Sequence, residues 1–244
     1  MPERGESSRG SAVQRVIAVT GAASGIGAAI SARLRADGAE VVGLDTAAAP
    51  RVQHFDVADE QQWAELARSP ATGRSITGLV HAAGIRARSP LAETSLDDFR
   101  RVLDVNATGT FLALRWAARL DPSQFHNQEF AVVVLSSATV DRRVEHQVAY
   151  NASKAAVTAL VRSAARELAP LGVRVNAIAP GSIRTPMTEA GWDAPDHAER
   201  MRAEIPVGRP GTGDEVASAA AYLLGPESSY CFGTVMTVDG GWTA

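Results

Sequence analysis

Tyr150 and Lys154 lie four residues apart in a segment that the sequence predicts to be helical as far as Leu168. Residues with this spacing share one face of a helix, so an ammonium would lie beside a phenol. A neighbouring positive charge lowers the pKa of a phenol from about 10 towards neutrality, and such a tyrosine can transfer a proton at a hydroxyl or carbonyl group. Ser137 precedes the tyrosine by 13 residues. Taken alone, the tyrosine–lysine spacing is a weak indication, because most such pairs are exposed helical faces.

A glycine-rich turn near the start of the chain gives a second chemical signal. Residues 14–19 form a short apolar run, which is typical of a buried parallel strand. Gly21, Gly25 and Gly27 follow, and then a helical pattern that includes Leu34. This order places backbone amides and a helix N-terminus where a pyrophosphate can bind. The G-x-x-x-G-x-G spacing differs from the general G-x-G-x-x-G fingerprint, so the flanking elements carry the prediction of a dinucleotide site.

Asp45 follows the second predicted strand, Val41–Leu44. A carboxylate at this position can accept hydrogen bonds from both ribose hydroxyls of adenosine and would repel a 2′-phosphate. Neither Ser24 in the turn nor Thr46 after the acid carries a positive charge, and Arg51 lies further along the chain. The sequence therefore predicts NAD rather than NADP as the cofactor.

The elements that must position these residues alternate between strand and helix along the chain. Such alternation predicts an α/β fold in which a parallel sheet carries helices on both faces. Ligands then bind beyond the carboxyl ends of the strands, where Gly21, Asp45, Gly84, Ser137 and Pro180 fall. The predicted strands are Val16–Val19, Val41–Leu44, Val52–Phe55, Gly78–His81, Ala131–Ser136, Val173–Ile178 and Val235–Val238, and the predicted helices include Asp59–Ala67, Asp97–Asn106, Gly109–Leu120, Ala149–Leu168 and Asp214–Leu224.

Between about Arg15 and Gly241 the chain resembles the short-chain dehydrogenase/reductase family. The resemblance rests on an ordered series of short motifs rather than on any one of them. The series is Thr20-Gly21-x-x-x-Gly25-x-Gly27, Asp56-Val57, Ala83-Gly84, Asn106, Ser137, Tyr150-x-x-x-Lys154, Pro180-Gly181 and Asp239-Gly240-Gly241.

The resemblance implies a Rossmann-like, doubly wound parallel sheet of about seven strands and a nicotinamide dinucleotide cofactor. Tyr150 would be the general acid/base, and Ser137 would hold the substrate oxygen. Lys154 would bind the nicotinamide ribose and lower the pKa of the tyrosine, while Asn106 would hold a water in a proton relay. The expected cofactor contacts are Gly21, Ser24, Gly25, Ile26, Gly27, Asp45, Asp56 and Val57 (adenine), Ala83, Gly84, Tyr150, Lys154, Pro180, Gly181, and Ile183 and Thr185 (nicotinamide carboxamide and phosphate).

One departure from the family pattern follows the fourth predicted strand. The family often has Asn-Asn-Ala-Gly there, and this chain has His81-Ala82-Ala83-Gly84. Because Tyr150 already fills the role of acid/base, we interpret His81 as a hydrogen-bonded structural histidine rather than a catalytic base.

The substrate-binding residues are harder to predict. Arg142 and Arg143 follow Ser137 and could bind a carboxylate, sulfonate or phosphate through forked hydrogen bonds. Neighbouring acidic residues favour a solvated loop instead. His146 could line the pocket or cap the following helix.

Residues 185–206, which include Met187 and Trp192, are longer than an ordinary connection and are predicted to form a partly apolar lid over the substrate.

Bulk properties limit the remaining choices. The chain has 244 residues, a net charge of −3 and a single cysteine. This length fits one large domain, predicted over residues 14–244, and the polar residues 1–13 are predicted to form a mobile tail. There is no basic stripe for nucleic acid, no apolar run of about 18 residues for a membrane span and no signal-peptide pattern. A cytoplasmic protein with no metal site is expected.

The sequence therefore predicts an NAD-dependent oxidoreductase that interconverts a secondary alcohol and a ketone. A 3-oxoacyl thioester reductase and a cyclic dihydrodiol or polyol dehydrogenase remain alternatives within the enzyme class. A non-catalytic dinucleotide-binding scaffold or redox sensor is the alternative from another class, although the intact Ser137, Tyr150, Lys154 and Asn106 argue against it. Apolar faces on the two long helices, and the family resemblance, predict a homotetramer or dimer.

Overall fold

The computed structural model describes residues 15–68, 75–121, 123 and 130–244. The predicted tail over residues 1–13, and residue 14, lie outside the described residues. The strands are β1 (Val16–Thr20), β2 (Glu40–Asp45), β3 (Val52–His54), β4 (Gly78–His81), β5 (Phe130–Leu135), β6 (Val173–Pro180) and β7 (Val235–Val238). The α-helices are α1 (Gly25–Ala36), α2 (Glu60–Arg68), α3 (Leu96–Leu103), α4 (Gly109–Ala118), α5 (Val148–Leu168), α6 (Glu189–Asp193), α7 (Pro195–Glu204) and α8 (Gly213–Leu224).

The seven strands form one parallel sheet in the order β3-β2-β1-β4-β5-β6-β7. Ala18 at the centre of β1 is in register with Val42 of β2 and Leu79 of β4. The chain moves outward from β1 to β3 and then crosses to β4, so the direction of winding reverses between β1 and β4. A ligand crevice opens at such a switch point, beyond the carboxyl ends of the strands. The predicted doubly wound fold is confirmed.

Alternating residues of the strands divide the core between the two faces of the sheet. Val16 and Ala18 face one side, where they pack with residues of α2, α4 and α5. Ile17 and Val19 face the other side, where they pack with residues of α1 and α8. Because both faces are covered, β1 and β5 are buried along their whole length, as their continuous apolar sequences predict.

A third apolar cluster lies over the carboxyl edge of the sheet. Trp192 of α6, Met201 of α7 and Trp242 near the C-terminus are buried together there. The predicted lid segment (residues 185–206) thus consists largely of two short helices attached to the body of the protein by an apolar contact.

One predicted element differs from the structure in a way that affects the site. The predicted helix Asp97–Asn106 ends at Leu103, and a π-helical turn, Asp104–Thr108, joins α3 to α4. Such a turn adds a residue to the helical circuit and redirects the following side chains, and these turns are frequent at functional sites. The buried Asn106 lies in this turn. Other predicted boundaries differ by one or two residues, the usual uncertainty of element ends.

Across the described ranges, no helix combines the length and apolar character that crossing a membrane would require.

Candidate active site

The glycine turn after β1 is closely packed against its neighbours. A Cβ on Gly27 would lie 2.0 Å from the carbonyl oxygen of Gly21, and one on Gly21 would lie 2.8 Å from the backbone nitrogen of Ala83. Gly21 also has a φ of +68°. Only glycine fits these two positions, and the turn therefore brings the N-terminus of α1 directly over the ends of β1 and β4.

The start of α1 is suited to an anion. The first helical N–H groups precede the first intrahelical hydrogen bond and have no partner within the helix. Ser24, the N-cap residue, makes no side-chain capping bond, and the first turn contains no acidic residue. These N–H groups and the positive end of the helix dipole can bind a phosphate.

Asp45 ends β2 beside this turn. Its carboxylate accepts hydrogen bonds from the backbone N–H of Ala23 and of Ala47, each at 3.0 Å. A carboxylate has about four acceptor positions, so capacity for hydroxyl donors remains. Arg51 does not line the cleft described below. It lies close enough to Arg35 in the last turn of α1 that its charge, after burial, lowers the pKa of Arg35.

A cleft of about 1050 Å³ runs across the carboxyl edge of the sheet. It is lined by every residue predicted to contact the cofactor, from Gly21 to Thr185, and by every residue predicted to contact the substrate. Ser137, Tyr150 and Lys154 also line it, whereas Asn106 does not. Phe55 and Thr46, which the sequence analysis did not assign, complete the wall beside Asp45.

The environment of the Tyr150 phenol contains opposing influences. Burial raises the pKa of Tyr150, and a hydrogen bond with Ser137 and the charge of Arg86 act in the opposite direction. The net pKa is raised, so the expectation that it would be lowered is wrong for the protein by itself. Lys154 Nζ lies 5.7 Å from the centre of the phenol ring, and the cation that lowers the pKa of the phenol is Arg86.

Lys154 is held below the cleft by the end of β5. Its Nζ donates a hydrogen bond to the carbonyl oxygen of Leu135 at 2.7 Å. Burial lowers the pKa of this lysine to about 8. A Cβ on Gly84 would lie 3.4 Å from the ammonium, so the glycine leaves this group open to the cleft.

Asn106 braces the loop that follows β4. Its amide accepts a hydrogen bond from Ile85 N at 2.8 Å and donates to Ile85 O at 2.9 Å. The same Nδ2 donates to Ser153 Oγ on α5, also at 2.9 Å. Asn106 thus fixes the loop containing Gly84 and Arg86 relative to the helix that carries Tyr150, and a water held in a relay by this residue stays a prediction.

His81 lies within the core at the end of β4. Its Nδ1 is 3.1 Å from Thr20 Oγ1, and its ring lies 6.1 Å from that of Trp63. Burial, followed by the charge of Lys154, lowers the pKa of His81 to about 3. His81 does not line the cleft, and its position fits the structural role that the sequence analysis favoured.

Arg142 is exposed, as the solvated-loop alternative predicts, but its guanidinium also has protein partners. Its guanidinium donates to Glu204 Oε2 at 3.1 Å and to the carbonyl oxygen of Trp242 at 3.0 Å. It also lies over the Trp242 ring, 5.3 Å from the ring centre. Arg142 is therefore not a free anion-binding group. Its side chain is 43% exposed, as the solvated-loop alternative predicts, and it also connects the loop after β5 to α7 and to the C-terminal segment.

The other predicted substrate residues lie around the same end of the cleft. Arg143 and His146 are exposed on its wall. The capping alternative for His146 is wrong, since the N-cap of α5 is Gln147 and makes no side-chain capping bond. Trp192 is buried and donates to Ser182 Oγ at 3.0 Å, whereas Met187 is 44% exposed.

The sequence analysis missed four basic residues of this end of the cleft. Arg86 and Arg88 come from the loop after β4, and His197 and Arg200 come from α7. The two arginines of the loop could have been found, because residues just beyond a strand's carboxyl end face the ligand crevice. No sequence pattern indicates that these arginines would meet His197 and Arg200, which lie more than 100 positions later in the chain.

Within the ranges that the structure describes, no group of three or more histidine, cysteine, aspartate or glutamate side chains is arranged to hold a metal ion.

Comparison with known proteins gives matches over nearly the whole chain. A protein-family model described as enoyl-(acyl carrier protein) reductase matches residues 21–243. The chain is 36% identical over 241 residues to galactitol 2-dehydrogenase (L-tagatose-forming) of Cereibacter sphaeroides, covering 93% of this chain and 94% of the relative. It is 38% identical over 247 residues to cis-4-hydroxycyclohexanecarboxylate dehydrogenase of Sinomonas cyclohexanicum, covering 95% and 97%.

Solved structures agree with these matches. A short-chain type dehydrogenase/reductase from Mycobacterium ulcerans superposes with a TM-score of 0.86 at 30% identity, covering 94% of this chain and 90% of the other. Among similar solved structures, two contain NADP and another contains NADH.

Proposed function

This chain belongs to the short-chain dehydrogenase/reductase family and is an oxidoreductase acting on CH–OH groups, and from its site we propose that it interconverts a secondary alcohol and the corresponding ketone with NAD. One observation carries this proposal. Ser137, Tyr150 and Lys154 line one end of the cleft, and the glycine turn and Asp45 line the other.

The residues present fit a nicotinamide dinucleotide. The turn over the N-terminus of α1 offers unpartnered N–H groups to a pyrophosphate, and the packing of Gly21 and Gly27 leaves backbone rather than side chains facing it. Asp45 has acceptor capacity left for ribose hydroxyls. Phe55, Asp56 and Val57 would border the adenine end, and Lys154 would hold the nicotinamide ribose. When bound, the dinucleotide supplies the acceptor or donor of hydride.

Tyr150 is proposed to move the proton. In alcohol oxidation its phenolate would accept the hydroxyl proton, and in ketone reduction its phenol would donate one to the developing alkoxide. The hydrogen bond from Ser137 orients the same oxygen and is placed to hold the substrate oxygen as well. Arg86 favours the phenolate by its charge, which offsets part of the effect of burial.

The preference for NAD rests on charge at the adenosine end. A 2′-phosphate would add about −1.5 to −2 charge beside the carboxylate of Asp45. Among the cleft-lining residues near Asp45 there is no cation to offset it, and Arg51 lies outside the cleft.

Small polar secondary alcohols are the proposed substrates. The two relatives named above act on a polyol and on a hydroxylated ring carboxylate, according to their names. A 3-oxoacyl thioester reductase stays the alternative within the family. Such an enzyme would usually use NADPH, and the carboxylate of Asp45 argues against that cofactor.

The experiment is a screen of secondary alcohols, polyols and hydroxy acids with NAD and with NADP, followed at the absorbance of the reduced cofactor. We expect turnover of at least one alcohol, with NAD preferred. Dinucleotide binding without oxidation of any alcohol, or reduction of any ketone in the reverse assay, would favour the scaffold or redox-sensor alternative. Equal use of NADP would refute the cofactor assignment alone.

A further inference from the structure

Basic side chains from three separate parts of the chain line the end of the cleft around Tyr150. Arg86 and Arg88 come from the loop after β4, Arg143 from the loop before α5, and His197 and Arg200 from α7. Arg142 lines the same end, so that five arginines face two glutamates, Glu145 and Glu204. This concentration of positive charge is unexpected in a chain whose net charge is −3.

Contacts and electrostatic interactions join Arg86, Arg88, His197 and Arg200 into one cluster. Arg200 Nη2 lies 3.0 Å from His197 Nδ1. The pKa of His197 is lowered by burial and then by the charges of Arg200, Arg88 and Arg86. Arg86 is in turn coupled to Tyr150, whose pKa its charge lowers. The cluster therefore extends from the lid helix α7 to the reacting phenol.

The two glutamates offset only part of the positive charge of the cluster. Glu204 Oε2 already accepts hydrogen bonds from Arg142 at 3.1 Å and from Trp242 Nε1 at 3.3 Å. Glu145 is exposed on the rim. In the part of the chain that the structure describes, no ion pair joins Arg86, Arg88 or Arg200 to a carboxylate. Arg86 and His197 are partly buried, whereas Arg88, Arg143 and Arg200 are exposed. The repulsion between these like charges is therefore greatest at Arg86, and a partly buried charge without an ion-pair partner is characteristic of functional sites.

Arg86 is the best placed of these groups to bind a ligand. Its Nη2 donates to the backbone carbonyl of Met187 in the lid segment, and this contact fixes the guanidinium between the lid and Tyr150. A guanidinium has five N–H donors in a planar fork, so donors remain for a ligand in the cleft. That fork matches the two oxygens of a carboxylate.

We propose, on the basis of the proposed function, that the substrate is a hydroxy acid or the corresponding keto acid, whose carboxylate is bound by Arg86 with further attraction from Arg88 and Arg200. Because Arg86 and Tyr150 line the same end of the cleft and interact electrostatically, we expect the carboxylate and the reacting CH–OH group to be separated by only a few bonds or by one small ring. The carboxylate supplies the counter-charge that the cluster lacks and positions the reacting carbon at the phenol.

The first test compares matched substrates. Cyclic and linear hydroxy acids are assayed beside their methyl esters and beside the alcohols that lack the carboxyl group. We expect kcat/KM to be on the order of 100-fold higher for the best acid than for its ester, since a charge-assisted, forked contact is lost in the ester. Equal or better turnover of the neutral compounds would overturn the proposal while leaving the proposed function intact.

The second test assigns the contact to Arg86. Arg86→Met should lower kcat/KM for both substrates, because Arg86 also acts on the phenol of Tyr150, but the loss should be on the order of 10²-fold greater for the hydroxy acid than for the neutral alcohol. Arg202→Met, on α7 but outside the cleft, is the matched control and should behave like the wild type on both substrates. An equal loss on acid and alcohol would contradict carboxylate binding, because it would mean that Arg86 acts only through Tyr150.

A binding measurement tests carboxylate recognition independently of catalysis. Cyclohexanecarboxylate, which has no hydroxyl to oxidise, is titrated by calorimetry into the protein saturated with NADH. We expect binding that weakens at least about 10-fold in Arg86→Met and is unchanged in Arg202→Met. The affinity should also fall as salt rises, because the interaction is electrostatic. Failure of the anion to bind would overturn the proposal even if alcohols are turned over, and binding with no turnover would refute only the enzymatic function.

Discussion

At the scale of single residues, the pKa of the Tyr150 phenol is shifted by burial and by two neighbours, Ser137 and Arg86, rather than by the lysine of its own helix. Burial stabilises its neutral form, while Ser137 and Arg86 stabilise the phenolate. The spacing of Tyr150 and Lys154 was readable from the sequence, because four residues define one helical face. The contribution of Arg86 was not, since it depends on a loop 64 residues away meeting α5 in the folded protein.

Asp45 offers a residue-scale test of cofactor choice. We expect the wild type to prefer NAD over NADP by on the order of 10²-fold in kcat/KM, because a 2′-phosphate meets a carboxylate and no cation. Asp45→Ser combined with Thr46→Arg should relax or reverse that ratio. Steady-state kinetics with both cofactors measures it.

Two controls interpret the cofactor result. Asp45→Asn keeps an acceptor for Ala23 N and removes only the negative charge. It therefore separates the effect of charge repulsion against a 2′-phosphate from the effect of losing the hydrogen bond that supports the glycine turn. Arg51→Met, outside the cleft, should leave the ratio unchanged. Efficient use of NADP by the wild type would mean that Asp45 does not have the assigned role.

His81 should make the protein sensitive to acid. Its pKa is about 3 in the fold against an ordinary value of 6.5, so below pH 6.5 the unfolded chain takes up a proton that the folded chain cannot. Its contribution to stability is complete above pH 6.5 and is lost as the pH falls towards 3, by about 2 kcal/mol between pH 6.5 and 5.

Urea unfolding at several pH values measures the sensitivity to acid. His81→Asn can keep an amide hydrogen bond to Thr20 and should remove about this much of the pH dependence, whereas the exposed His54→Asn should not. An unchanged slope in His81→Asn would show that His81 is not buried in its neutral form.

At the scale of elements, the alternation of strands and helices was predictable because each strand carries a continuous apolar run and each helix an apolar face. The π-helical turn at Asn106 was not, because nothing in the local pattern distinguishes it from a continuing helix. The attachment of the lid segment was equally hidden. Arg142 contacts Glu204 and Trp242, which lie 62 and 100 residues further along the chain.

The contacts of Arg142 should slow local opening of the lid segment. Arg142→Met removes an ion pair and a hydrogen bond to the Trp242 carbonyl, and we expect amide exchange over residues 189–204 to become on the order of 10-fold faster. Arg184→Met breaks only an exposed pair with Asp193 on the same segment and should have little effect. Hydrogen exchange by mass spectrometry gives both values, and equal exchange in all three proteins would contradict the fastening role of Arg142.

At the scale of the whole molecule, the cleft has opposite electrostatic character at its two ends. Asp45 and Asp56 line the end beside the glycine turn, and the arginine cluster lines the end beneath the lid segment. The sequence does not reveal the basic end, because its arginines are spread over positions 86 to 200 and meet only when the chain folds.

The exposed apolar side chains on helices α4 and α5 lead us to expect that the protein self-associates. Leu112 is in the core, but Phe111 on α4 is 45% exposed, and Ala155 and Ala159 are exposed on α5. We expect a dimer or tetramer by light scattering at micromolar concentration. Phe111→Glu should weaken it, whereas Leu91→Glu, at an exposed site away from both helices, should not. A monomeric wild type would refute the prediction.

The most direct test of the whole account is the Tyr150→Phe variant, which removes one oxygen atom. With the best alcohol from the screen and saturating NAD, we predict a loss of at least about 10²-fold in turnover, because the proton then has no acceptor. NAD affinity by calorimetry should stay close to that of the wild type, and Tyr222→Phe, on the exposed side of α8, should retain full activity. Turnover by Tyr150→Phe close to the wild-type rate would contradict the proposed mechanism.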